Sequence, residues 1–80
     1  MEATIVEVEE IVKKRRWILE ELKKFEQKYS MKSSDFYEKW SQGDIPEPSD
    51  PEIHGDFIVW AGLVEELREL EKKLSKIIGK

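Results

Sequence analysis

Two long stretches of this chain repeat their apolar residues every three or four positions, and any fold must bury those repeats. In the later stretch Trp60, Leu63, Leu67, Leu70, Leu74 and Ile77 keep the spacing unbroken, with Phe57, Val64 and Ile78 beside them. In the earlier one Val8, Ile11, Ile18, Leu22, Phe25 and Tyr29 keep it except at Arg15, flanked by Ile5, Val12 and Leu19, seven residues apart. A helix of 3.6 residues per turn gathers such positions on one side. Each stripe is wider than a two-stranded coiled-coil seam. Glu7, Glu9 and Glu10 lie early in the first stretch and Lys23, Lys24 and Lys28 late, which suits the helix dipole. Residues 4–8, from Thr4 to Val8, are rich in β-branched side chains and fit a short strand as well as a helical turn.

Between the stripes, Met31 to Gly43 reads as a short helix. Ser33 is the expected N-cap, Phe36, Tyr37 and Trp40 share one side, and Gly43 stops it. Pro46, Pro48 and Pro51 restrict the backbone of the following linker, residues 43–50. Asp50-Pro51-Glu52 is a helix start, with an Asp cap, Pro in the first turn and an acid behind it. Lys72, Lys73 and Lys76 close that last helix with positive charge. The expected architecture is all-α, one domain over residues 1–80. Helices span about 5–29, 33–42 and 51–78, and the two long ones lie antiparallel at roughly 39 Å each. Ordering 80 residues costs about 120 kcal/mol at ~1.5 kcal/mol each, so two rods alone make a thin core. Pairing into a dimeric helical bundle would bury both stripes more completely.

Composition removes most chemistry. The chain has no cysteine, hence no thiolate metal site or thiol nucleophile, and only one histidine, His54. His54 stands among Asp44, Glu47, Asp50, Glu52 and Asp56, but their spacing matches neither a calcium loop nor a helical zinc pair. It is expected as an exposed residue in the first turn of the third helix, with no metal and no cofactor. No glycine-flanked nucleophile turn or phosphate-cradling loop accompanies the serines, so no enzyme is expected. The longest apolar run, Phe57 to Val64, is 8 residues, too short to span a bilayer. No signal-peptide pattern opens the chain, and a cytoplasmic protein is expected.

Charge is segregated. Residues 1–12 hold four acids, residues 13–32 eight bases and three acids, residues 33–71 two bases and eleven acids, and residues 72–80 four bases. The basic run Lys13, Lys14, Arg15 and Arg16 could touch phosphates or simply be a solvated helix side. A ribbon-helix-helix protein would read DNA with a strand at residues 4–8. Glu7, Glu9 and Glu10 would repel phosphate there, and the net charge of -4 points the same way. Nucleic acid is not the expected partner.

Protein is. From Ile53 to Val64 the third helix is apolar almost all round, with Ile58, Val59 and Ala61 pointing off the main stripe. A helix of that kind must be buried against something, either the short helix or a partner. Gly55 and Gly62 lie seven apart on one side, where another backbone could approach. Each costs about 1 kcal/mol relative to alanine within a helix. Trp17 is an off-stripe aromatic on the first helix. Seven acids and one base, Lys39, fill Asp35 to Asp56, with Tyr37, Trp40 and Ile53 among them. Such a strip could dock on a basic groove, aromatics supplying affinity and carboxylates steering. The expected partner surface is Phe36, Tyr37, Trp40, Phe57, Ile58, Val59 and Trp60, rimmed by Asp44, Glu47 and Asp56.

The run Lys28-Tyr29-Ser30-Met31-Lys32-Ser33-Ser34-Asp35-Phe36-Tyr37-Glu38-Lys39-Trp40, then Gly43-Asp44, then Asp56-Phe57-Ile58-Val59-Trp60-Ala61-Gly62-Leu63, resembles small antitoxins of bacterial and archaeal toxin–antitoxin pairs. Ser30 stands where such turns often carry glycine, and the Pro46–Pro51 insert is longer than the pattern. The resemblance covers about half the chain. It implies a non-catalytic protein that binds and neutralises a co-expressed toxin by masking a basic surface, such toxins often acting on RNA. The alternative is a structural coiled-coil module that pairs only with itself.

Overall fold

Helix α1 spans Ile5–Tyr29, α2 Ser33–Gln42 and α3 Pro51–Ile78 in a computed structural model that describes residues 5–78. These bounds coincide with those the apolar spacing and end signals predict. No strand occurs among the described residues. Thr4 lies outside them, but Ile5 to Val8 is helical, which corrects the strand alternative there. The helical period continues from Val8 into Ile11, and that pattern overrides local β-propensity.

The long helices run antiparallel. Lys14 Nζ meets Glu66 Oε2 at 2.8 Å, Arg15 Nη2 meets Glu71 Oε2 at 3.3 Å, and Lys28 Nζ meets Asp56 Oδ2 at 2.7 Å. Exposed pairs of this kind contribute about 0–1 kcal/mol each, so the register is set by the apolar seam instead. The body measures 47 × 22 × 18 Å, one long helix in length and two helices across.

The core draws on all three helices. Ile18 and Leu22 of α1, Phe36 of α2, and Trp60, Ala61, Val64 and Leu70 of α3 are buried. Ile11, Phe25, Leu63 and Leu67 are half-buried against them. Ala61, expected off the main stripe and covered by the short helix or a partner, is 3% exposed. Helix α2 crosses a neighbouring flank of α3, where Tyr37 meets Glu65 and Arg68. Phe36 stacks on Trp60 with ring centroids 3.9 Å apart and planes 3° from parallel. Phe25 and Tyr29 stack on Trp60 from α1, at 5.6 and 5.7 Å.

The helix ends show how local chemistry sets the turns. Two helices end in the same Schellman geometry. After α1, Met31 N–H donates to Glu26 O at 3.2 Å around Ser30, whose φ is 53°. After α2, Asp44 N–H donates to Lys39 O at 2.8 Å around Gly43, whose φ is 75°. Glycine adopts this left-handed conformation freely, whereas a residue with a Cβ is strained there by about 1–2 kcal/mol. Ser30→Gly should therefore stabilise the fold by about 1 kcal/mol, and Gly43→Ala should destabilise it similarly. Each kcal/mol should move the thermal midpoint by roughly 4–8 °C in a domain this small. A calorimetric scan reads both, and equal midpoints for Ser30→Gly and wild type would contradict the strain at Ser30.

Ser33 is not the N-cap of α2. Lys32 holds that position and makes no side-chain cap bond. The Ser33 hydroxyl instead accepts the Trp60 indole N–H at 2.8 Å, and a Glu26 carboxylate oxygen of α1 takes the Ser33 backbone N–H at 2.8 Å. A buried indole needs an acceptor, and that requirement outranks the local cap. At α3 the expected cap is present, with Glu52 N–H donating to Asp50 Oδ1 at 2.9 Å.

Candidate partner-docking face

The expected partner surface divides once the chain is folded. Phe36 and Trp60 are 1% and 0% exposed, which corrects their assignment to it. They stack on each other and close the core, so no partner reaches them in this fold. Phe57 is half-buried and packs at 5.4 Å against Phe36. Tyr37 is also half-buried, its hydroxyl donating to Glu65 Oε2 at 2.8 Å and its ring lying 4.5 Å beneath the Arg68 guanidinium. Trp40 lines a shallow cleft with Ile45, Pro46, Glu47, Pro48 and His54. Asp44 is exposed just after α2.

Ile58 and Val59 remain uncovered, at 52% and 53% exposure. Ala61 and Val64 are buried, whereas the side of α3 that carries Ile58 and Val59 is left bare. Gly55, Ile58, Val59 and Gly62 follow one another there at helical spacing. A Cβ on Gly55 or Gly62 would meet nothing within 4 Å. Neither glycine is required by packing inside this chain, although each weakens the helix.

Asp56 is not a free rim carboxylate. Its Oδ2 accepts the Tyr29 hydroxyl at 2.6 Å and the Lys28 ammonium at 2.7 Å, joining the end of α1 to the start of α3. These two donors hold the Asp56 carboxyl below its ordinary value of 3.8, Lys28 being the larger cause. The Asp56 bond raises Lys28, while burial first and Asp56 second raise Tyr29. The signs follow from linkage. Asp56 contributes stability above its unfolded value, and that contribution is lost as pH falls through the depressed folded value. Lys28 and Tyr29 contribute below their unfolded values near 10 and lose it as pH rises through the raised ones. Asp56→Asn should therefore lower stability at neutral pH and flatten its decline below about pH 4. Urea titrations of both proteins at pH 7 and pH 3 test this, and an unchanged neutral-to-acid difference would contradict it.

His54 departs from its expected exposure. It is half-buried, and its Nδ1 is buried without a hydrogen-bond partner. No cluster of three or more His or acidic groups able to hold a metal occurs among the described residues. In the basic run, Lys14 and Arg15 are turned onto carboxylates of α3. No described helix is long and apolar enough to cross a membrane. Trp17 is 53% exposed on α1.

The uncovered pair was legible only as a helix apolar all round. The ion-paired cluster was missed, because Asp56 meets Lys28 and Tyr29 across 28 and 27 residues. No family model, curated protein or solved structure matches this chain.

Proposed function

We propose that this chain is a non-catalytic binding module that docks a basic protein on the outer side of α3. The observation that carries the reading is the bare face of Ile58 and Val59 between two helical glycines that nothing in the chain approaches. A partner backbone can lie against Gly55 and Gly62 and bury the two side chains. Acids dominate the surrounding sequence, with eleven acids and two bases in residues 33–71, so a cationic surface is the complementary one. The resemblance to antitoxins supplies the class of partner, a co-expressed cytoplasmic toxin whose basic groove is covered on binding. The module itself uses no cofactor.

The glycines give a test in which stability and binding move oppositely. Gly55→Ala and Gly62→Ala should each stabilise the helix by up to about 1 kcal/mol. The same changes should weaken capture of the partner from host lysate, because a methyl group holds its backbone away. Unchanged capture by a more stable variant would show that the glycines are not a docking surface.

A second reading, self-association, is favoured by the exposure of Ile5, Val12 and Leu19 on α1. The ribbon-helix-helix reading has no such support.

A further inference from the structure

We infer that α1 pairs antiparallel with α1 of a second copy, about a twofold axis at Val12. The inference rests on the self-association reading and adds its register.

Ile5, Val12 and Leu19 are 76%, 39% and 39% exposed, so the hairpin does not bury this row itself. Seven-residue spacing brings them to nearly one side of the helix. Helix α2 reaches α1 through Glu26, beyond the end of the row. A second row runs beside the first, four residues on: Glu9, Arg16 and Lys23, all exposed. In the sequence Glu2, outside the described residues, extends it.

That second row chooses the partner and its direction. A twofold axis at Val12 sets Ile5 opposite Leu19 of the second copy. It also sets Glu9 beside Arg16 of the second copy, and symmetry repeats each contact. Parallel pairing would put the two copies of this row on opposite sides of the seam, so Glu9 would not meet Arg16. Acidic first and basic later, the α1 sequence is therefore complementary to itself only when reversed. Arg16, Leu19, Glu20, Leu22, Lys23 and Glu26 line a shallow groove on this flank. Ile5 of the second copy, the most exposed large apolar side chain among the described residues, fills it.

The full chain contains no cysteine, so single cysteines report the register cleanly. Under mild oxidation Val12→Cys should form a covalent dimer. Ile5→Cys and Leu19→Cys should not link to themselves, because fourteen residues of helix, about 21 Å, separate each from its own copy. That lies far beyond the roughly 7 Å limit for a disulfide. A mixture of the two variants should link. In sedimentation equilibrium Arg16→Glu should weaken the dimer at least tenfold, and Glu9→Arg combined with Arg16→Glu should restore it. A chain that stays monomeric at every concentration overturns both the register and self-association. A dimer in which all three single cysteines link to themselves is parallel, and overturns the register alone. A dimer indifferent to these cysteines and charges but broken by Ile58→Glu uses α3, and likewise overturns only the register.

Discussion

Trp60→Ala should remove about 3–5 kcal/mol of folding stability. Trp60 is fully buried, and rings from both other helices stack on it. Its indole N–H donates to Ser33, so one side chain fixes α2 by stacking and by hydrogen bond together. A domain of this length has a total stability of roughly 4–12 kcal/mol. The variant should therefore lose a large share of that stability, and α2 should lose its main packing partner. Trp60→Phe keeps most of the stack and removes the donor, and should cost a smaller amount, about 1–2 kcal/mol. Urea unfolding followed by circular dichroism separates the three proteins. A loss below about 1 kcal/mol for Trp60→Ala would mean that the seam between α1 and α3 holds the fold without the aromatic cluster.

The fold was largely legible because its determinants are local. Asp50-Pro51-Glu52, Gly43 and the three-to-four spacing each act within a turn or two of chain, and the observed helix ends coincide with them. Helical periodicity marks which side of a helix is apolar. It does not say which of two neighbouring apolar sides a third helix covers. Phe36 and Trp60 therefore read equally well as core and as contact surface, and only the crossing of α2 over α3 separates them from Ile58 and Val59. Ser33 illustrates a different limit. Its type and position suit a cap, but a tertiary donor, Trp60, took the hydroxyl. Asp56 read as a rim carboxylate for the same reason, since its partners lie on another helix.

Ile58→Glu combined with Val59→Glu should abolish capture of the partner while leaving the helices intact. Both positions are about half exposed and face away from the core, so the change should cost the fold little, within about 0.5 kcal/mol each. Glutamate also has a better helix propensity than valine or isoleucine. Binding is a different matter. A fully buried aliphatic side chain is worth about 1.5–3 kcal/mol, and half of that is available at each position when a partner covers it. Two buried carboxylates add a desolvation penalty. The combined loss should exceed about 3 kcal/mol, more than a hundredfold in affinity, at 1.4 kcal/mol per factor of ten. Wild type and double variant would be tagged and compared by capture from nuclease-treated host lysate, with circular dichroism on both. A basic protein held in stoichiometric amount by wild type and lost by a folded variant supports docking on α3. An unfolded variant would return Ile58 and Val59 to the core, and a folded one that still holds the partner would move the docking face elsewhere. Recovery of the bait alone, with the co-expressed neighbour shown to be present, would favour a chain that assembles only with itself. In that event the charge-reversed pairing of α1 becomes its function, because Ile5, Val12 and Leu19 would be the contact surface with a measured occupant.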